Sequence, residues 1–149
     1  MREIRLLCAA DLPGVAEIES LCFGEPWSQK ALELLFEGAN FGVAALEDGE
    51  VAAYVGVISI APEGEITNVA THPCFRRRGI AKEVLEFLKS EAKRRGIDSL
   101  YLEVRRSNEA ARALYENAGF TVIGERRGFY KNPKEDAVLM SGKTTEQTL

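Results

Sequence analysis

The stretch Arg76-Arg77-Arg78-Gly79-Ile80-Ala81 constrains this chain more than any other, because it joins a strand pattern directly to a helix pattern. Upstream, Glu65 to Thr71 carries Ile66, Val69 and Ala70 and reads as a strand. His72-Pro73 ends it, since proline has no N–H to give to a ladder. Downstream, Ile80, Val84, Phe87, Leu88 and Ala92 recur at helical spacing. Gly79 lets backbone N–H groups approach a ligand where a Cβ would obstruct it. The N–H groups of a first helical turn have no intrahelical partner, and the dipole there favours negative charge. With three arginines adjacent, the physics describes a seat for a phosphate or pyrophosphate. Solvated arginines beside a plain glycine turn are the competing reading of the same residues. The stretch is not a P-loop, because no Gly-Lys-Ser/Thr follows, and it lacks the three glycines of a dinucleotide fingerprint.

At 149 residues the chain fits one domain with a sizeable core. We expect that domain to span 1–142, followed by a polar tail, 143–149, with fraying from Gly142 onward. A hydrophobic fraction of 46% with 28% charged residues belongs to an ordinary soluble protein. The formal net charge of -4 argues against general nucleic-acid affinity, although Arg76 to Arg78 and Arg126-Arg127 are local basic patches. No apolar run approaches a membrane span, and the N-terminus lacks a signal-peptide layout. Cys8, Cys22 and Cys74 show no C-x-x-C spacing, so neither a disulfide framework nor a metal site is expected. A cytoplasmic protein with reduced thiols is the consequence, with no nucleic-acid or membrane partner.

In chain order, Arg2 to Leu7 reads as a first strand. Asp11 is positioned to cap a helix that runs to about Cys22, with Val15, Ile18, Leu21 and Cys22 inward. Phe23-Gly24-Glu25-Pro26-Trp27 is an aromatic loop, and Ser28 caps a second helix carrying Leu32, Leu35 and Phe36 to Gly38. Phe41 to Leu46 and Val51 to Ile60 make a hairpin about Asp48-Gly49, and Ala61 to Gly64 turns into the strand before the arginine loop. The long helix ends at Arg94-Arg95-Gly96. Ser99 to Arg105 alternates, setting Glu103 on the face opposite Leu100, Leu102 and Val104. Asn108 caps a short helix that stops at Ala118-Gly119. Phe120 to Gly124 and Ala137 to Met140 close the chain, joined by a connection through Arg126 to Asp136. The order β-α-α-β-β-β-α-β-α-β-β describes an α/β chain of one mixed sheet with helices on its faces.

Seven residues is nearly two helical turns, so Asn108 and Tyr115 share a face with Ala111 and Ala118. A lone helical tyrosine is ordinarily a half-buried core residue with its hydroxyl at the rim, and a lone asparagine there is ordinarily a cap. Glu103 alone reads as a solvated strand residue paired with Arg105.

Together these residues resemble a known family. Arg76-x-x-Gly79-x-Ala81 is similar to the Gln/Arg-x-x-Gly-x-Gly/Ala loop of the GNAT superfamily of N-acetyltransferases, which wraps the acetyl-CoA pyrophosphate. Leu102-Glu103-Val104-Arg105, Ser107-Asn108, Ala111, Leu114-Tyr115-Glu116 and Gly119-Phe120 look like that superfamily's second half. Within it the chain most resembles the bacterial ribosomal-protein-alanine N-acetyltransferases, to which Pro26-Trp27-Ser28 and Glu135-Asp136-Ala137 are also similar. The resemblance covers residues 2 to 141. It implies the GNAT fold, a mostly antiparallel twisted sheet of about seven strands flanked by about four helices.

It also implies roles. Acetyl-CoA is the co-substrate, with Arg76 opening the loop and the backbone of Arg77, Arg78, Gly79, Ile80, Ala81 and Lys82 holding the pyrophosphate. Val69, Ala70 and Thr71 pair strand-like with the pantetheine arm, and Asn108 bonds the cofactor near its pantetheine end. Glu103 matches the general base and Tyr115 the general acid. Phe23, Trp27 and Tyr130, the last in a Phe129-Tyr130 loop, wall a groove for a protein N-terminus, that of a ribosomal protein; core and lid roles account for the same aromatics equally well. Glu63 and Glu65 are placed to attract a basic peptide, and are equally ordinary surface charges.

The chemistry asks for such a pair independently. An α-amino group of pKa ~7.7–8.0 is largely protonated at neutral pH and must lose a proton before it attacks a thioester. The tetrahedral oxyanion needs an N–H, for which Val69 is the candidate. Transfer is expected to be direct, because His72, the only histidine, sits in a Pro turn and makes a poor partner for a nucleophilic Cys74. A monomer is expected. The alternatives are a small-molecule amine or a broader set of N-termini as acceptor, a non-catalytic acyl-CoA sensor, and a nucleic-acid module, which the acidity disfavours.

Overall fold

Turn chemistry and alternation set the first half of the sheet. In a computed structural model that describes residues 1–144, β1 (Arg2–Leu6), β2 (Phe41–Glu47), β3 (Glu50–Ile60) and β4 (Glu63–Thr71) form an antiparallel meander. Asp48 and Gly49 take φ of +49° and +86°, the doubly left-handed turn that matches strand twist in a two-residue hairpin. A parallel strand needs a crossover, and the helix predicted from the Ile80–Ala92 stripe supplies it. That helix, α3 (Ile80–Arg94), carries the chain from β4 to β5 (Ser99–Arg105). α4 (Glu109–Asn117) then leads to β6 (Thr121–Lys131) and β7 (Lys134–Lys143). The seven strands lie in the order β1-β2-β3-β4-β5-β7-β6. With α1 (Leu12–Cys22) and α2 (Gln29–Leu32), the mixed sheet and four helices match the expected architecture.

Side-chain alternation divides the core between the two faces. Val43 and Ala45 of β2 pack with Val84, Leu88, Leu100, Tyr115 and Phe120 beneath α3 and α4. Ala44 and Leu46 pack with Val15, Ile18, Leu32, Leu35 and Tyr54 beneath α1 and α2.

Several local expectations are corrected. Leu21, expected inward on α1, is exposed, and the second helix expected to run to Gly38 is α2 followed by a 3-10 turn over Glu33–Phe36, which leaves Phe36 exposed. Asp11 does not cap α1 with its carboxylate; it accepts from the Cys8 N–H at 2.9 Å and from the Arg5 guanidinium at 2.7 and 2.9 Å. β4 begins at Glu63, inside the span expected to turn. The largest difference is at the C-terminal end. The expected connection from Arg126 to Asp136 is itself strand, a long hairpin turning at Asn132-Pro133, so Phe129 and Tyr130 lie on β6 and not in a loop. Its charged, exposed alternation hides it from hydrophobic periodicity. Gly142 and Lys143 complete β7, and buried Thr144 donates its hydroxyl to the Ile97 carbonyl at 2.7 Å, so no fraying begins at Gly142. The rest of the expected tail, 145–149, lies outside the described residues.

Candidate active site

Strands β4 and β5 pair only through Glu63–Ser99, Gly64–Leu100 and Glu65–Tyr101, and then part. On the far side β4 stays bonded to β3 through Thr71, but with a bulge. Val57 faces Ile66 and Val55 faces Val69, leaving Thr67 and Asn68 opposite the single residue Gly56. A bulge bends its strand and sharpens the local twist, which accounts for the parting. From Ile66 to Thr71 the β5-facing edge of β4 therefore has no strand partner among the described residues. Gly56 is required here, since a Cβ would stand 2.6 Å from Thr67 Oγ1 and 2.8 Å from Leu35 Cδ2.

The open edge runs into the arginine loop. His72 Nδ1 accepts from the Cys74 N–H at 3.0 Å, so the imidazole serves the turn and not the thiol. Arg77 and Gly79 have φ of +66° and +74°, and α3 begins directly after Gly79. Alternating left-handed residues turn successive N–H groups toward one side, the geometry of an anion cradle. Nothing stands within 4 Å of a Cβ built at Gly79, so its mouth is open. The residues present fit a phosphate. The arginines differ in use: Arg76 donates to the Thr71 carbonyl at 3.3 Å and reaches Cys22 Sγ at 3.3 Å, and Arg78 lies over the Phe75 ring at 5.4 Å. Arg77 and Lys82 are exposed.

Glu103 stands at the parting of the strands, half-buried, facing a cavity of about 260 Å³ lined by Ile58, Glu65, Tyr101, Arg126 and Leu139 among others. Burial raises its carboxyl above the ordinary range, Glu65 adds to the rise, and Arg126 partly offsets it. It is not paired with Arg105, whose guanidinium binds the Pro133 carbonyl at 2.8 Å, the Asn132 carbonyl at 3.1 Å and Glu135 at 3.3 Å. Tyr115 projects from α4 into the core against Phe120, with ring centroids 6.0 Å apart. Its hydroxyl bonds no protein group yet is not sealed from solvent; Arg112 Nε is the one fully buried side-chain polar atom without a partner among the described residues. Burial raises the Tyr115 phenol, with Tyr130 adding a smaller push. Tyr130 is itself pushed up to about 12 by burial and then by Glu103. Tyr130 is thus linked electrostatically to Glu103 on one side and to Tyr115 on the other.

Asn108 caps α4, its Oδ1 accepting from the Ala111 N–H at 3.1 Å, which leaves its amide nitrogen as a donor for a ligand. Phe23 and Trp27 are half-buried against the α1 core. Tyr130 sits beneath Arg105, whose Cζ is 4.3 Å from the ring centroid. The α1–α2 loop and the β6–β7 turn meet at Gly24, where a Cβ would stand 2.5 Å from the Asn132 carbonyl oxygen. One group escaped the sequence reading: Glu19, a fully buried carboxylate on α1. The signal was present, because Glu19 falls with Val15, Ile18 and Cys22 on the inward stripe, where an acid is out of place.

Residues 12–120 match the Acetyltransferase (GNAT) family, and the chain belongs to it. It is an acetyl-CoA-dependent N-acetyltransferase. Within the family it is 36% identical to the [ribosomal protein bS18]-alanine N-acetyltransferase of Salmonella typhimurium over 143 residues, 95% of this chain and 97% of the relative. It is 34% identical to the Escherichia coli K12 enzyme of the same name, again over 95% and 97%. The crystal structure of the ribosomal-protein-S18-alanine N-acetyltransferase from Escherichia coli superposes with a TM-score of 0.90 at 33% identity, covering 99% of this chain and 97% of that one. Among the described residues no helix is long and apolar enough to cross a membrane.

Proposed function

We propose that this enzyme transfers acetyl directly from acetyl-CoA to the N-terminal α-amine of a protein, and that the acceptor is the N-terminal alanine of ribosomal protein bS18. The observation that carries the chemistry is the unpaired edge of β4, which runs from beside Glu103 into the Arg77–Gly79 cradle. An extended, amide-bearing thioester suits such an edge, and its pyrophosphate suits the cradle. The names and near-full coverage of the relatives support the acceptor.

Bound acetyl-CoA supplies an activated acyl group and a thiolate leaving group. The remaining work falls to side chains and backbone. Glu103 takes the ammonium proton of the acceptor, directly or through one water; its raised carboxyl brings it nearer the amine's pKa, which is what an efficient base needs. The Val69 N–H, on the unpaired stretch beyond the bulge, stabilises the oxyanion. Tyr115 faces the departing sulfur. Its phenol is pushed above an already high value, whereas an ordinary thiol has a pKa of ~8.5. It therefore acts first as a hydrogen-bond donor to the developing thiolate, and complete proton transfer is uphill. Glu63, Glu65 and Glu103 against Arg126 leave the acceptor cavity net negative, which favours a cationic peptide.

The test is a panel of peptides with free N-termini beginning with Ala, Ser, Met or Gly, an N-blocked lysine peptide and several small amines, each incubated with acetyl-CoA and read by mass spectrometry. Acetylation confined to free Ala-initiated peptides supports the reading. Modification of the lysine peptide or the small amines alone keeps the acetyl transfer and removes the acceptor.

A further inference from the structure

The buried carboxylate of Glu19 has no part in the chemistry above, yet three separate segments converge on it. Its Oε1 accepts from the Trp27 N–H at 2.8 Å, in the loop between α1 and α2. The Asn68 amide donates to both oxygens, at 3.0 and 3.3 Å, from the bulge of β4. The Tyr54 hydroxyl donates from β3, and burial together with Glu19 raises that phenol. No cation of the described residues pairs with Glu19. A carboxylate is an acceptor only, so three neutral donors satisfy it and it holds all three.

The bulge explains how β4 reaches α1. By adding one residue it turns Asn68 toward the helix face of α1 while Val69 stays packed on the opposite core. Asn68 immediately precedes Val69. Trp27 begins the turn that Ser28 caps, with Ser28 Oγ accepting from the Ala31 N–H at 3.0 Å. One buried acid thus joins the α1–α2 loop to the strand residue next to Val69, whose N–H is assigned above to the oxyanion.

We propose that Glu19 is a positioning residue for acetyl transfer: by binding Trp27 and Asn68 at once, it fixes the distance between the acceptor loop and the Val69 N–H. This rests on the roles assigned to Val69 and the α1–α2 loop above. Misplacement of reacting groups by about 1 Å costs on the order of a hundredfold, so a loosened bulge is read in rate more than in affinity.

The experiment compares Glu19→Gln, Asn68→Ala and Tyr54→Phe. Glutamine keeps the volume of Glu19 but turns one acceptor into a donor that faces other donors. Alanine at 68 cuts only the tie to the bulge, and phenylalanine at 54 leaves the ties to Trp27 and Asn68 in place. Peptide kcat is expected to fall by about tenfold or more in Glu19→Gln and Asn68→Ala, and by less than about threefold in Tyr54→Phe. Calorimetric affinity for acetyl-CoA is expected within about twofold of the parent in all three. The double variant Glu19→Gln/Asn68→Ala is expected to lose little more than either alone, because the pair acts as one unit. Additive losses, or kcat unchanged in Asn68→Ala, overturn the proposal. A second readout needs no acceptor: amide hydrogen exchange of Glu19→Gln, followed in segments 23–28 and 66–71. Faster exchange in both supports the link, and faster exchange in the first alone refutes it. A parent enzyme inactive on every peptide would refute the acceptor while leaving that exchange result decisive for Glu19.

Discussion

Gly24→Ala is the smallest change that tests whether the α1–α2 loop and the β6–β7 turn form one acceptor wall. The added methyl would stand 2.5 Å from the Asn132 carbonyl oxygen, and the next atoms, Asn132 C and Cβ, lie at 3.6 and 3.7 Å. To restore an ordinary contact of 3.4 Å, the α1–α2 loop and the β6–β7 turn must separate by about 0.9 Å. The obstacle is backbone, so no side chain can swing away. Asn132 is further held by Arg105, which binds its carbonyl at 3.1 Å and that of Pro133 at 2.8 Å. Both segments are exposed, so they yield outward and the core is not overpacked; we expect a stability loss of no more than about 1 kcal/mol, at the low end for an added methylene. The functional loss is larger. A displacement near 1 Å at a substrate wall carries up to about a hundredfold in kcat/KM, or about 2.7 kcal/mol at 1.36 kcal/mol per decade. The assay is steady-state acetylation of an Ala-initiated peptide beside calorimetric titration with acetyl-CoA. Peptide KM is expected to rise with acetyl-CoA affinity unchanged. Unchanged peptide kinetics would refute the reasoning, and an equal loss of acetyl-CoA affinity would show that the contact supports the cofactor side instead.

Glu103→Gln is expected to bind acetyl-CoA normally and to lose about 10²–10⁴ in rate near neutral pH, the usual contribution of a positioned base; normal turnover removes Glu103 from that role. In the parent, kcat/KM is expected to fall as pH drops through the Glu103 carboxyl, at a higher pH than an ordinary glutamate allows. The stability sign is opposite to the usual acid: a carboxyl raised in the folded state favours its protonated form, so its stabilising effect is present below the unfolded pKa and lost as pH rises through the folded one. Glu103→Gln should therefore melt at the same or higher temperature at pH 7, and a lower melting temperature would contradict the burial argument. Tyr115→Phe keeps the buried ring and should fold normally while slowing single-turnover transfer; an unfolded variant would return Tyr115 to a purely structural role. Gly79→Asp and Gly79→Asn both tolerate the left-handed backbone, so the pair isolates charge. Aspartate is expected to weaken acetyl-CoA by about tenfold more than asparagine, on the order of 1–3 kcal/mol for like charges at a surface site, and equal affinities would locate the pyrophosphate elsewhere.

Much of this was legible where one local rule dominated. The Ile80–Ala92 stripe, the Asp48-Gly49 turn and the Asn108 cap each have a single strong determinant, and each appears where the sequence puts it. The β6–β7 hairpin has none. Arg126, Arg127, Lys131 and Lys134 make its alternation polar on both faces, and it is held by pairing with a neighbour distant in sequence. The parting of β4 from β5 is hidden for a related reason. A bulge depends on which residue fails to find a partner, here Thr67 and Asn68 against Gly56, and that is settled by Leu35 and Glu19 on the other side of the sheet.

Two glutamates show how one side chain takes different roles from its surroundings. Glu19 is deeper, and three donors from three segments satisfy it, so the residue is committed to architecture. Glu103 is shallower and has no hydrogen-bonding partner among the described residues; Arg105, two residues away, is spent on the β6–β7 turn, and Glu65 repels its charge. A carboxylate left without donors beside a cavity is free to bind what enters, and one that already holds three donors is not. Counting donors separates the two, and it leaves Glu103 as the carboxylate open to an incoming ammonium in the proposed mechanism.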